Sequence, residues 1–190
     1  MIKKVSNIKW FAVGMFFVSA QLLAQTEPDD IALVNDEFQE SYYESLTQKG
    51  IENYDKAIIS LEKCLKLQPD NAAVYNELGK NYFFQKDYIN AETAFTKAIQ
   101  LDPKNKWYLI GLYDVYYEAK NFNQALLVVQ KIVPLDENYK EDLVSLYMFT
   151  RQFDKALVLI NELDESVGKS ELRDRYKLEI SSESKTNSYD

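Results

Sequence analysis

The chain has 190 residues, with 22 lysines and arginines against 30 acids and no histidine, a formal net charge of −8. The missing histidine excludes the commonest general base, the Ser-His and Cys-His nucleophile pairs and most zinc sites, and an acidic chain lacks the basic patches that nucleic acid requires. Cys64 is the single cysteine, so no intramolecular disulfide forms and stability has to come from packing.

The chain opens on MIKKVSNIK, with three lysines and no acid, followed by an apolar run of 15 residues from Trp10 to Ala24. A spanning helix needs roughly 20 apolar residues, so residues 1–24 read as a secretory signal peptide. Cleavage is expected between Ala24 and Gln25, although Leu22 is larger than the ideal residue at minus three. Its removal leaves 19 basic against 30 acidic residues, a net of −11. The aromatic h-region and the Ala-Gln junction point to a bacterial export signal and delivery to the periplasm. Residues 25–35 are predicted to be a linker.

From there three columns recur at 34-residue steps: Tyr54, Tyr88 and Phe122; Ala57, Ala91 and Ala125; Leu67, Leu101 and Leu135. A period of this length predicts a solenoid of stacked helical units, a fold that offers a long curved surface and no natural deep crevice for chemistry.

The first unit, about 36–71, begins with a helix predicted from Asp36 to Lys49. It places Ser45 in the small-residue column and Glu44 where a core leucine belongs, so Tyr42, Tyr43 and Leu46 are expected to pack from a shifted register. This helix reads as an N-terminal cap, since a terminal repeat turns one face to water. Its partner is regular, with Tyr54, Ala57, Leu61, Cys64, Leu67 and Pro69 one period ahead of their counterparts. Cys64 shares a column with Ala98, the position of a small packing residue.

The second unit, 72–105, is the most complete. Tyr75, Leu78, Gly79 and Tyr82 share one helical face, and Ala91, Phe95 and Ala98 another. Residues 85–87 form the turn between them and Pro103 stops the second helix. The spacings Y-x2-L-G-x2-Y and A-x3-F-x2-A-x4-P resemble the tetratricopeptide repeat. That resemblance implies two antiparallel helices per unit, an all-α right-handed superhelix of about four helix-turn-helix repeats plus a C-terminal helix, and an inner wall that binds peptides or proteins.

The third unit, 106–139, keeps Leu112, Tyr116, Phe122 and Ala125 in register. It has Tyr113 in the column of Gly79 and Val129 in that of Phe95, and Pro134 is expected to end its second helix near Ile132 to Val133. In the fourth unit, 140–168, Leu143, Leu146 and Tyr147 keep the 34-residue step, but Phe153, Ala156, Ile160 and Leu163 follow their counterparts by 31. Three residues are therefore missing from its first helix, a shortening of about 4.5 Å. Gly168 reads as a helix stop and Ser170 as an N-cap. Leu172, Tyr176 and Ile180 form the stripe of a capping helix over 170–180, and residues 181–190 are predicted to be a disordered tail.

The resemblance further implies that the inner wall is lined by residues between the packing positions: Asn76, Lys80, Phe83 and Phe84 in the second unit, Trp107, Ile110, Asp114, Tyr117 and Glu118 in the third, and Val144 and Met148 in the fourth. The clamp by which some family members hold a chaperone's C-terminal carboxylate is not matched, because Asn76 and Lys80 stand in reversed order and Gly111, Glu141 and Ser145 supply no matching donors. The leading expectation is a non-enzymatic interaction scaffold of the bacterial cell envelope, taking a protein or peptide partner on its concave face through aromatic anchors. No cofactor, metal or nucleic acid is expected, nor any membrane contact beyond export. The alternative is a structural subunit, or a module of a longer repeat assembly, working by end-to-end packing.

Overall fold

The computed structural model describes residues 28–186 of the chain. The predicted signal peptide at 1–24 and its junction with Gln25 lie outside the described residues. The chain divides into two units, residues 1–40 and 41–190. Of the first, residues 28–40 are described, and they form the opening turns of helix α1, Pro28–Gly50. Helix therefore occupies most of the predicted linker and begins eight residues before Asp36, at a proline, which suits a first turn because its missing N–H has no intrahelical partner there.

The second unit continues through α2 (Tyr54–Leu67), α3 (Ala72–Phe84), α4 (Tyr88–Leu101), α5 (Lys106–Glu118) and α6 (Phe122–Ile132). A short 3-10 turn at Glu137–Tyr139 leads into α7 (Lys140–Phe149), α8 (Phe153–Val167) and α9 (Glu171–Thr186). Each helix from α2 onward packs against the next, and α3 also touches α5, which is the stacking of an all-α superhelical repeat. Among the described residues, no helix is long and apolar enough to cross a membrane.

Local chemistry sets the boundaries. The Asn71 side chain accepts from the N–H groups of Ala73 and Val74 at the start of α3, and Asp87, Asn105 and Asn121 cap α4, α5 and α6 in the same way. The turn inside each unit ends on a residue with positive φ: Glu52 at 61°, Lys86 at 61°, Lys120 at 58° and Arg151 at 57°. After each one the next N–H reaches back five residues, as Asp87 does to the Tyr82 carbonyl at 2.9 Å and Asn121 to Tyr116 at 2.8 Å. This is the Schellman closure usually built with glycine, made here four times without one.

The alanine column at Ala57, Ala91, Ala125 and Ala156 is fully buried, as are Leu61, Val129 and Ile160. Cys64 is equally buried, which pushes its thiol pKa up and leaves it a packing residue. Helix α6 stops at Ile132 ahead of Pro134, and α7 has 10 residues where α3 and α5 have 13, the three-residue shortening expected.

Leu135 stands at the 34-residue step from Leu67 and Leu101 but is half exposed, because the helix ends before the chain reaches it, as Pro134 led one to expect. Two expectations need correction. Tyr43 is 64% exposed, leaving Ser45 buried and Tyr42 and Leu46 half-buried as the packing positions of α1. Of the predicted tail at 181–190, residues 181–186 are helical as the last turns of α9, and residues 187–190 lie outside the described residues.

Candidate functional site

Phe95 of α4 is the hub of the central units. Its ring, 2% exposed, is wedged against α3 and α5, and both helices give way with glycine. A Cβ on Gly79 would lie 2.8 Å from the ring, and one on Gly111 would meet it head-on. The edge of the Phe95 ring thereby becomes the floor of a recess of about 300 Å³ between α3 and α5. Lys80, Phe83, Phe84, Trp107, Ile110, Gly111 and Asp114 complete its lining.

Six of the eleven residues predicted for the inner wall meet in this one recess. Trp107 is 63% exposed and Phe84 53%, the most open of the large apolar side chains that line the recess. Lys106 Nζ stands 5.1 Å from the Trp107 ring centroid while also donating to Asp136 at 2.9 Å, so one face of the indole is held by a cation. Phe84 stacks on Tyr54 at 5.5 Å between centroids and meets Phe83 edge-on at 5.9 Å.

The remaining aromatics serve the stack. Phe83 tilts against Tyr88 at 6.1 Å, and one period later Tyr117 meets Phe122 at 5.8 Å, so both residues close their own helix pair. Tyr117 still presents part of its ring to solvent, as does Glu118 beside it. Asn76, predicted to face a partner, is buried, as is its neighbour Glu77. Burial alone would raise the Glu77 carboxyl, but Lys49 and Lys80 both pair with it and hold its pKa below the usual carboxylate range. Val144 and Met148 are also buried, because α9 lays Tyr176 and Ile180 over the cluster they share with Ala156, Ile160 and Leu163.

Negative charge gathers at the other end of the recess. Partial desolvation, then Asp142 and Glu118, push the carboxyl of Asp114, whose side chain is still exposed, up to about 6. The Tyr113 hydroxyl donates to Asp142 at 2.8 Å, which together with burial drives its own pKa well up. Sequence reasoning missed Gly111, which lies two residues before the glycine column, and Phe95 as a wall of the recess.

A larger hollow of about 760 Å³ lies along α3 and α4, lined by residues that include Tyr75, Tyr82, Ile89 and Lys97. It gathers more polar side chains and fewer exposed aromatics, so the smaller recess is the stronger candidate for an apolar anchor. Among the described residues, no group of three or more acidic or cysteine side chains is placed to hold a metal ion.

The fold and this recess define an all-α helical-repeat protein with an aromatic wall between neighbouring units. Residues 83–141 match a family model for the tetratricopeptide repeat and residues 40–71 match a second one. The chain is a tetratricopeptide repeat protein. Tetratricopeptide repeats are in general protein-interaction modules without enzymatic activity.

Among solved structures, the chain is similar to YrrB, "a TPR protein with an unusual peptide-binding site", at 22% identity and a TM-score of 0.58 over 67% of each chain. It is similar to MamA from Desulfovibrio magneticus RS-1 at 15% identity and a TM-score of 0.63, over 80% of this chain and 97% of that one. A third likeness is the TPR2B domain of yeast Sti1 in complex with pHsp70, at 17% identity and a TM-score of 0.52, over 61% of this chain and 97% of that one. At these identities the likenesses establish the fold. No curated protein sequence matches the chain.

Proposed function

We propose that the chain is an interaction scaffold that holds a protein or peptide partner on its concave face, with an apolar side chain of the partner seated between α3 and α5. The observation that carries this reading is the pairing of Phe84 and Trp107, both more than half exposed, around a recess floored by the buried Phe95. Leaving two large aromatics in water forfeits burial worth about 1.5–3 kcal/mol for such a side chain, a loss that covering by a partner recovers. The solved relatives include a peptide-binding protein and a peptide complex, which supports the same class of partner. An apolar recess between α-helices, without a crevice of convergent polar groups, favours binding over catalysis.

The N-terminal signal pattern supports a setting in the bacterial cell envelope, with the mature chain starting at Gln25 in the periplasm. N-terminal sequencing of the envelope-isolated protein is expected to start at Gln25, and a start at Met1 contradicts export with cleavage.

The end-to-end alternative is weaker, because the apolar stripe of α9 is already used within the chain: Tyr176 and Ile180 pack on its own fourth unit. Changing Trp107→Ala tests the concave reading. Helical content by circular dichroism is expected to be retained while capture of the partner weakens at least tenfold, the loss of a hot-spot aromatic worth about 1.4 kcal/mol or more. Undiminished capture by a folded variant moves the binding surface elsewhere.

A further inference from the structure

The recess between α3 and α5 is electrically lopsided. At one end Lys80 shares the Glu77 carboxylate, at 2.7 Å, with Lys49, which leaves a single positive charge there. At the other, Asp114 lines the recess, with Asp142 of α7 and Glu118 of its own helix acting on it. Among the described residues none of these three carboxylates is paired with a cation, and Asp142 has only the Tyr113 hydroxyl as donor. A recess walled by protein focuses such a field, so a positive group entering beside the aromatics gains while a negative one is repelled.

Resting on the concave reading above, we propose that the partner segment is apolar and basic: a large apolar side chain fills the space bounded by Phe84, Trp107 and Ile110, and an arginine or lysine close by in the segment pairs with Asp114. Both contacts belong to one cavity of about 300 Å³, so the two partner residues must be near neighbours along the segment. In an extended segment i and i+2 stand on one side, and in a helical one i and i+3 or i+4 do. The raised pKa of Asp114 is consistent with this, since an incoming cation relieves the repulsion from Asp142 and Glu118.

The test uses the mature full chain and immobilised ten-residue peptides with a fixed central tryptophan, the flanking positions carrying arginine, glutamine or glutamate. Arginine-flanked peptides are expected to be retained about fivefold better than glutamine-flanked ones and glutamate-flanked ones least, a preference that fades near roughly 1 M salt, where screening is complete within a few ångströms. The Asp114→Asn variant should lose the arginine preference while still retaining tryptophan-centred peptides, and Phe84→Ala should weaken retention of all three sets. Equal retention whatever the flanking charge, still weakened by Phe84→Ala, overturns the basic-segment inference and leaves the concave reading standing. Retention that Phe84→Ala does not change overturns both.

Discussion

Phe95 and Gly111 fit together as ring and gap: the Phe95 ring occupies the space where any side chain on Gly111 would begin. The ring is enclosed by α3 and α5, with Gly79 on its other side, and has nowhere to retreat. Gly111→Ala is therefore expected to cost about 1–3 kcal/mol by overpacking and to narrow the recess, visible as a lowered urea midpoint. A variant as stable as the parent would show that the ring yields.

The four left-handed turn residues give a second expectation, of opposite sign. Lys120, at φ 58°, holds a conformation in which its Cβ crowds the backbone, whereas glycine adopts it freely. Lys120→Gly is expected to stabilise by about 0.5–1 kcal/mol, after the extra freedom of glycine in the unfolded chain is deducted. The melting temperature should rise by about 1–4 °C, and a fall contradicts the assignment of strain.

Arg173 ties the last helix to the stack. It is 2% exposed, donates through Nε to Asp164 at 2.7 Å, and also donates to the Glu141 carboxylate and the Gly168 carbonyl. Replacing it with alanine strands these acceptors, so amide hydrogen exchange in α9 is expected to accelerate about tenfold or more relative to α4. Equal exchange in both helices would mean that Tyr176 and Ile180 alone hold α9 down.

The pH dependence of stability carries the signature of Asp114. Its folded pKa, about 6, lies above the unfolded value, so the folded state holds the proton more tightly and this residue's contribution to stability falls as pH rises through that window. Asp114→Asn should then stabilise the fold at pH 7, by less than about 1 kcal/mol given the solvent around the carboxylate, and make little difference at pH 4. A variant destabilised at pH 7 contradicts the repulsion from Asp142 and Glu118.

The features legible in the sequence are those written in residue size. The buried alanine column, the stop at Pro134 and the shortened α7 all follow from which side chains fit between helices, and a 34-residue comparison exposes them. The features that escaped it depend on backbone state or on pairing across units. Glu52, Lys86, Lys120 and Arg151 share a left-handed turn that their polar side chains do not announce. Arg173 looks like one more surface charge until Glu141 and Asp164 close around it. Asn76 sits on the expected face of α3 yet is buried beside the Lys49–Glu77 pair, so a position between core columns was not enough to make it a contact residue. Phe84 and Trp107 were recognisable because large aromatics outside the packing columns need a reason to be there.

The central claim is that the α3–α5 wall is the working surface. A photo-reactive phenylalanine analogue placed in turn at Phe84, at Trp107 and at Leu127, an exposed residue of α6, tests it in the native cell. The account expects one and the same partner protein to be cross-linked from positions 84 and 107 and not from 127. Cross-linking from 127 alone, or only between copies of this chain, would contradict it.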